Sequence, residues 1–201
     1  MPPIPLPFPF TMYHSDLFSL SVTQSDKNTE MTMYLHTPFV NTRELPDTIP
    51  VLQETLPSIF STTCFNGINL SFYQEVKKTE IGHLFEHILL SYLCELQDDT
   101  GKEITYRGET CWNWKQDTFG TFHITVTIGE QNSTLFFRAL HRSITLMETI
   151  LRTYTVKKEE VRQNNIDSSI LPAAKFPTLL LFPAYALPYL VLVPLFSFLF
   201  L

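Results

Sequence analysis

The sequence has few of the residues from which several common functional sites are built. Only six of its 201 residues are glycine, and no glycine-rich phosphate loop occurs, so we expect no nucleotide site. Its three cysteines (Cys64, Cys94 and Cys111) form no Cys-x-x-Cys pair, which favours a reducing, cytoplasmic location over a disulfide framework. Charged residues make up 17% of the chain and the net charge is −6, which argues against nucleic acid as the main partner.

The two ends of the chain are apolar but lack the features of ordinary targeting segments. The first nine residues contain five prolines and no basic residue, so they do not resemble a signal peptide. We expect residues 1–28 to form an irregular, Pro-rich and polar arm. Residues 176–201 carry no charge and are numerous enough to span a bilayer, yet they include four prolines. Membrane association, a tail foreign to the domain, and packing against the domain or a partner all remain open for residues 166–201.

The strongest pattern in the chain is a helical repeat that carries two histidines and a glutamate. Apolar residues recur at helical spacing for more than four turns, at Ile81, Leu84, Phe85, Ile88, Leu89, Tyr92, Leu93 and Leu96. Thr79 precedes this run and is expected to cap the helix. His83, Glu86 and His87 read H-x-x-E-H, and the two histidines are four residues apart, so their imidazoles project from one face.

This spacing suits a zinc ion. Zinc in a catalytic site takes three protein ligands and keeps a fourth position open. His83 and His87 would supply two of these ligands, and Glu86 would act as the general base that takes a proton from water. H-x-x-E-H is the signature of the inverzincin metallohydrolases. The alternative is that the two histidines are partly exposed residues that cover the core.

The remaining patterns predict an α+β domain over residues 29–165. Strands are expected at 32–36, 70–78 and 103–106, and the clearest one at 121–128, where Phe122, Ile124 and Val126 alternate with polar residues. A short helix is expected over 51–60, a polar connection over 107–110, and a second long helix over 134–152. This order predicts two main helices packed on a mostly antiparallel sheet.

The residues around the motif resemble the N-terminal domain of cyanophycin synthetases. The matching stretches are Thr79–Ile88, Glu95–Gln97, Thr100–Gly101 and Arg107–Thr110, preceded by Leu56–Ser58 and Cys64–Gly67, and the resemblance spans about residues 45–160. In that family the domain precedes two ATP-dependent ligase modules, and neither fits in this chain. The resemblance implies a domain that holds an arginine–aspartate polypeptide or cleaves it at a zinc site.

The resemblance also bears on the remaining site residues. It places His83 and His87 on the metal and makes Glu86 the general base. The third ligand is left open between Glu148, from a later helix as in inverzincins, and Glu109, from a loop near the helix. Cys94 ranks lower because it lies roughly 10 Å beyond His87 along the helix.

Two further features of the motif region bear on the function. Arg107 and Glu109 are candidates for binding substrate. Ser91 stands where the family usually has a carboxylate, so a non-catalytic module that binds polymer without a complete zinc site is the alternative function.

Overall fold

The computed structural model describes residues 11–64, 71–98 and 105–169, with side chains described up to Tyr154. The chain divides into two compact units, Met1–Gln163 and Asn164–Leu201. The second unit contributes only residues 164–169 to the described part, and these are helical.

The first unit is built on a five-stranded antiparallel sheet. Its strands are β1 (Thr11–His14), β2 (Phe18–Gln24), β3 (Thr29–Leu35), β4 (Gly108–Cys111) and β5 (Thr121–Val126). Their spatial order is β1-β2-β3-β5-β4, so β4 is an edge strand although it precedes β5 in the chain. β4 and β5 pair in the register Glu109 with Thr125 and Thr110 with Ile124.

Four α-helices accompany the sheet in the described residues. They are α1 (Thr48–Thr55), the single-turn α2 (Phe72–Glu75), α3 (Ile81–Asp98) and α4 (Ser133–Ser169). Short 3₁₀ helices span Thr42–Glu44, Pro57–Ser61, Val76–Lys78 and Glu130–Asn132. The predicted helix over 51–60 is therefore α1 followed by a 3₁₀ turn that begins at Pro57.

The core lies between one face of the sheet and the two long helices. Alternate residues of β2, β3 and β5 are buried, including Phe18, Met33 and Phe122 with no exposed surface. α3 contributes its whole apolar stripe, and each fully buried leucine or phenylalanine stabilises the fold by roughly 1.5–3 kcal/mol. The predicted α+β class, with two main helices on an antiparallel sheet, is confirmed.

α3 approaches β5 closely because residue 82 is a glycine. A Cβ atom on Gly82 would overlap the ring of Phe122. Carbon atoms in ordinary contact are about 3.5–4.0 Å apart, so a side chain here would push the helix off the sheet. Gly82 thus sets the depth at which the adjacent His83 and the rest of the motif sit.

Three predictions about local structure are wrong. The N-terminal arm expected over 1–28 contains β1 and β2 from residue 11 onward, while residues 1–10 lie outside the described part. The strand expected over 70–78 is helical from residue 72, as α2 and a 3₁₀ turn. The strand expected near 103–106 begins instead at Gly108, inside the predicted polar connection, and residues 103–104 lie outside the described part.

The part of the chain that is described contains no helix both long and apolar enough to cross a membrane. The apolar segment 176–201, on which the predicted membrane association depends, lies outside the described residues.

Candidate metal centre

α3 places the two histidines of the motif side by side at the wall of a cavity. Their rings lie 4.8 Å apart, centroid to centroid, as expected for residues one turn apart on one helix face. His87 is buried, with 5% of its surface exposed, and its ring stacks on Phe72 at 3.9 Å. This stacking fixes the plane of the His87 imidazole, so α2 is a supporting element of the site.

A third side chain of a type that can bind a metal, the thiol of Cys64, lies beside the histidines. Cys64 is buried, and its Sγ atom lies 3.3 Å from Nε2 of His83. One ligand atom from each of Cys64, His83 and His87 can be chosen so that all three lie within 4.8 Å of one another. Two ligand atoms on one tetrahedral zinc are about 3.3–3.7 Å apart, so the widest pair has to close by at most about 1.5 Å. These donors fit zinc, which binds Cys and His readily.

Two threonines hold the imidazoles in place. Thr79 Oγ1 lies 2.7 Å from His83 Nδ1, and Thr62 Oγ1 lies 3.3 Å from His87 Nδ1. Hydroxyl partners of this kind orient metal-ligating histidines. Thr79, predicted to cap α3, therefore contacts the imidazole of His83 instead.

The hydrogen bonds of Thr62 assign the tautomer of His87. Thr62 has one hydroxyl proton, and it donates this proton to the carbonyl oxygen of Ile59 at 2.7 Å. Its contact with His87 therefore requires the ring Nδ1–H to be the donor. In the neutral imidazole this leaves the lone pair on Nε2, which is the form that binds a metal.

Burial keeps both imidazoles neutral. It lowers the pKa of His83, and it lowers the pKa of His87 to about 3, with a smaller contribution from the neighbouring His83. Metal ligands must be deprotonated, so both histidines are ready to bind at neutral pH.

Glu86 is buried beside the histidines and is held from β4. The hydroxyl of Thr110 donates a hydrogen bond to Oε2 of Glu86 at 2.5 Å. A Cβ atom on Gly108 would lie 2.6 Å from Oε1, so a side chain at this position would have to displace the carboxyl group. Burial raises the pKa of Glu86 to about 7, against the lowering effect of the Thr110 hydrogen bond. A pKa near the working pH suits a group that both takes and returns a proton.

These groups share one cavity of about 780 Å³. Three parts of the chain line it: α3, the segment from Ser58 to Cys64, and the chain from Thr105 to Thr110. His83, His87, Cys64 and Glu86 all line it. A volume of this size accommodates several residues of a peptide, since ligand pockets commonly measure about 300–1,000 Å³.

The candidate third ligands predicted from the sequence are not part of the three-residue cluster. Glu148 on α4 accepts a hydrogen bond from the Tyr13 hydroxyl at 2.6 Å and lies 3.7 Å from Arg152. Glu109 is exposed and alternates along β4 with Gly108 and Thr110, which face Glu86. The structure thus brings Cys64 to the histidines, where the sequence pointed to Glu148 or Glu109.

The other predicted residues lie around the cavity. Arg107, Glu109 and Cys94 line it without belonging to the cluster. Ser91 is buried, and its hydroxyl donates to the backbone carbonyl of His87 at 2.8 Å. This hydrogen bond lies within α3, and Ser91 is not part of the three-residue cluster.

Sequence reasoning missed Cys64 as a ligand, although a weak signal was present. Cys64 lies in one of the stretches that resemble the cyanophycin synthetase domain, and a thiol is a common zinc ligand. No spacing rule connects it to a histidine 19 residues later.

Comparison with protein-family models and with curated proteins gave no match. Neither comparison bears on the resemblance, which remains a prediction.

Proposed function

We propose that this domain is a zinc-dependent hydrolase that cleaves amide bonds in an extended polypeptide. The observation that carries the proposal is the cluster of Cys64, His83 and His87 in the cavity that also holds the buried Glu86. These residues supply three ligands of the kinds zinc prefers and one carboxyl group that is not in the cluster. A zinc ion held there would polarise a substrate carbonyl and acidify water.

Glu86 is the proton carrier of the proposed reaction. Its Oε2 is held by Thr110, which leaves Oε1 to take a proton from the attacking water. The water oxygen forms a bond to the carbonyl carbon, the carbon–nitrogen bond breaks, and Glu86 returns the proton to the leaving nitrogen. Thr110 therefore fixes the direction of the carboxyl group without contacting the reacting atoms.

The proposed substrate class is an arginine- and aspartate-bearing polypeptide, and it rests on the resemblance to cyanophycin synthetases. The cavity is lined by carboxylates at Glu95 and Glu109 and by the cation Arg107, so side chains of both signs find partners in it. We predict neither nucleotide nor nucleic acid as a partner, because the sequence has no glycine-rich phosphate loop and a net charge of −6. A cytoplasmic location suits the site because a reducing compartment keeps Cys64 available as a thiol, while membrane association through residues 176–201 stays a prediction.

Metal content of the full chain, measured by elemental analysis, tests the proposal. We expect one zinc per chain, and its loss from the His83→Ala/His87→Ala double variant. Glu86→Gln should retain zinc but lose hydrolysis of an arginine–aspartate polymer by at least 100-fold, since general-base catalysis contributes about 10²–10⁴-fold. Glu54→Gln, an exposed change on α1, is the matched control. Full turnover in Glu86→Gln would exclude the proposed role.

A non-catalytic binding module is the second candidate, and Ser91 favours it. Because this residue is a serine, its position supplies no carboxylate to the site. Its hydroxyl donates a hydrogen bond to the backbone carbonyl of His87. A folded chain that contains no zinc but binds the polymer would support this second function.

A further inference from the structure

The outer edge of β4 borders the candidate active site. β4 is the last strand in the order β1-β2-β3-β5-β4, so only one of its two edges pairs with another of the described strands. Unpaired edges of a sheet present backbone N–H and C=O groups that can pair with another extended chain. The chain from Thr105 to Thr110, which includes three residues of this edge strand, lines the cavity.

The register of β4 with β5 shows which backbone groups point outward. The N–H of Thr127 donates to the carbonyl of Arg107 at 2.8 Å, so Arg107 faces β5 through its hydrogen-bonding groups. In an antiparallel pair these groups alternate in direction from one residue to the next. Gly108 and Thr110 therefore point their N–H and C=O groups away from β5. Among the described residues, the backbone of neither forms a hydrogen bond outside the sheet.

The same two residues contact the catalytic carboxyl group. Gly108 lies against Oε1 of Glu86, and the Thr110 hydroxyl donates to Oε2. A strand paired with β4 would lie about 4.8 Å from it, on the side of β4 that borders the cavity lined by α3. Its backbone would thus run past Glu86 and the imidazoles of His83 and His87.

We propose that the substrate binds as an added strand on β4, through backbone hydrogen bonds to Gly108 and Thr110. The inference rests on the proposed hydrolase function and specifies its substrate as an extended polypeptide. Recognition of this kind depends on the peptide backbone, and pockets for alternate side chains add selectivity. Every second residue of the peptide directs its backbone groups toward β4, and the residues between direct theirs away.

Alternating N-methylation of a peptide tests this geometry. The probe is a peptide of about ten residues with alternating arginine and aspartate, long enough to cross a cavity of this size. It is titrated into the Glu86→Gln full chain, in buffer that contains zinc, so that it is not cleaved. Peptides with one backbone N–H methylated are then compared position by position. We expect losses of about 3- to 10-fold at alternate positions near the site and little change at the positions between.

A pair of variants tests the edge from the protein side. In the Glu86→Gln background, Thr110→Pro and Thr110→Val both remove the hydroxyl contact with residue 86, but only proline removes the outward N–H. β4 keeps its bonds to β5 in both, because Thr110 does not direct its backbone groups there. Binding to Thr110→Pro should be about 3- to 10-fold weaker than binding to Thr110→Val. Circular dichroism verifies that both variants are folded.

The outcomes separate this inference from the proposed function. Equal effects of methylation at all positions overturn strand addition, as does failure of the peptide to bind the Glu86→Gln protein. If the proline variant does not fold, the methylation series alone decides. Alternating effects in a protein whose wild-type form lacks zinc or does not cleave the peptide support strand addition and reject only the hydrolase.

Discussion

Removing the charge of Glu86 is expected to stabilise the metal-free protein at alkaline pH. The carboxyl group is buried, with 5% of its surface exposed, and burial raises its pKa from the ordinary value of 4.5 to about 7. Above pH 7 the folded protein must hold a charged carboxylate away from water, while the unfolded chain holds the same charge in water. The neutral amide of the Glu86→Gln variant never carries this charge.

The size of the effect follows from the two pKa values. Between pH 4.5 and 7 the folded state binds more protons than the unfolded state, so the wild-type free energy of unfolding falls as pH rises. A difference of about 2.5 between the two pKa values corresponds to about 3 kcal/mol, since a difference of one is about 1.4 kcal/mol. The advantage of Glu86→Gln over wild type should therefore grow by about 2–3 kcal/mol between about pH 5 and about pH 8.

Urea unfolding in the presence of a chelator measures this difference. Urea titrations of both proteins at about pH 5 and at about pH 8 give the free energies of unfolding, which are then compared. The lowered pKa values of His83 and His87 act in both proteins and cancel to first order in the comparison. Glu54→Gln, an exposed change on α1, is the control: it retains Glu86, so its difference from wild type should be about the same at both pH values.

A flat difference between the two pH values would refute the reasoning. It would mean that the Glu86 carboxyl group is no more costly to ionise in the folded protein than in the unfolded chain. Its hydrogen bond from Thr110 would then fully offset its burial. A difference of the opposite sign would place the pKa of Glu86 below its ordinary value of 4.5.

Three further predictions follow from the site. Cys64→Ser should weaken zinc binding by at least tenfold and remove the thiolate-to-metal charge-transfer absorption of the cobalt-substituted protein; unchanged absorption would exclude Cys64 as a ligand. Thr79→Val should lower zinc affinity by about 10–100-fold in a chelator competition, because Thr79 contacts Nδ1 of His83. Gly108→Ala should destabilise the protein by about 1–3 kcal/mol in urea unfolding, since its Cβ would overlap Glu86, and an unaltered midpoint would contradict that packing.

The long helices and the central strand were readable from the chain alone because their signals are local. Apolar residues three and four apart defined α3, and strict alternation defined β5. The same helical spacing placed His83 beside His87 with Glu86 nearby. A comparable alternation at Phe18, Leu20 and Val22 predicts β2 equally well, but the proline-rich start of the chain obscured it.

The residues that join the motif in the cavity became evident only from the folded chain. Cys64 lies between the 3₁₀ turn after α1 and the single-turn α2, and it contacts His83, which is 19 residues later in the chain. No periodicity in the sequence encodes this contact. β4 is short, and it became recognisable as a strand only through its pairing with β5. That pairing carries Thr110 and Gly108 to the carboxyl group of Glu86. Local spacing in the sequence was therefore enough to group the two imidazoles with the carboxylate. Contacts between residues far apart in the chain were needed to bring Cys64 to the histidines and β4 to the cavity.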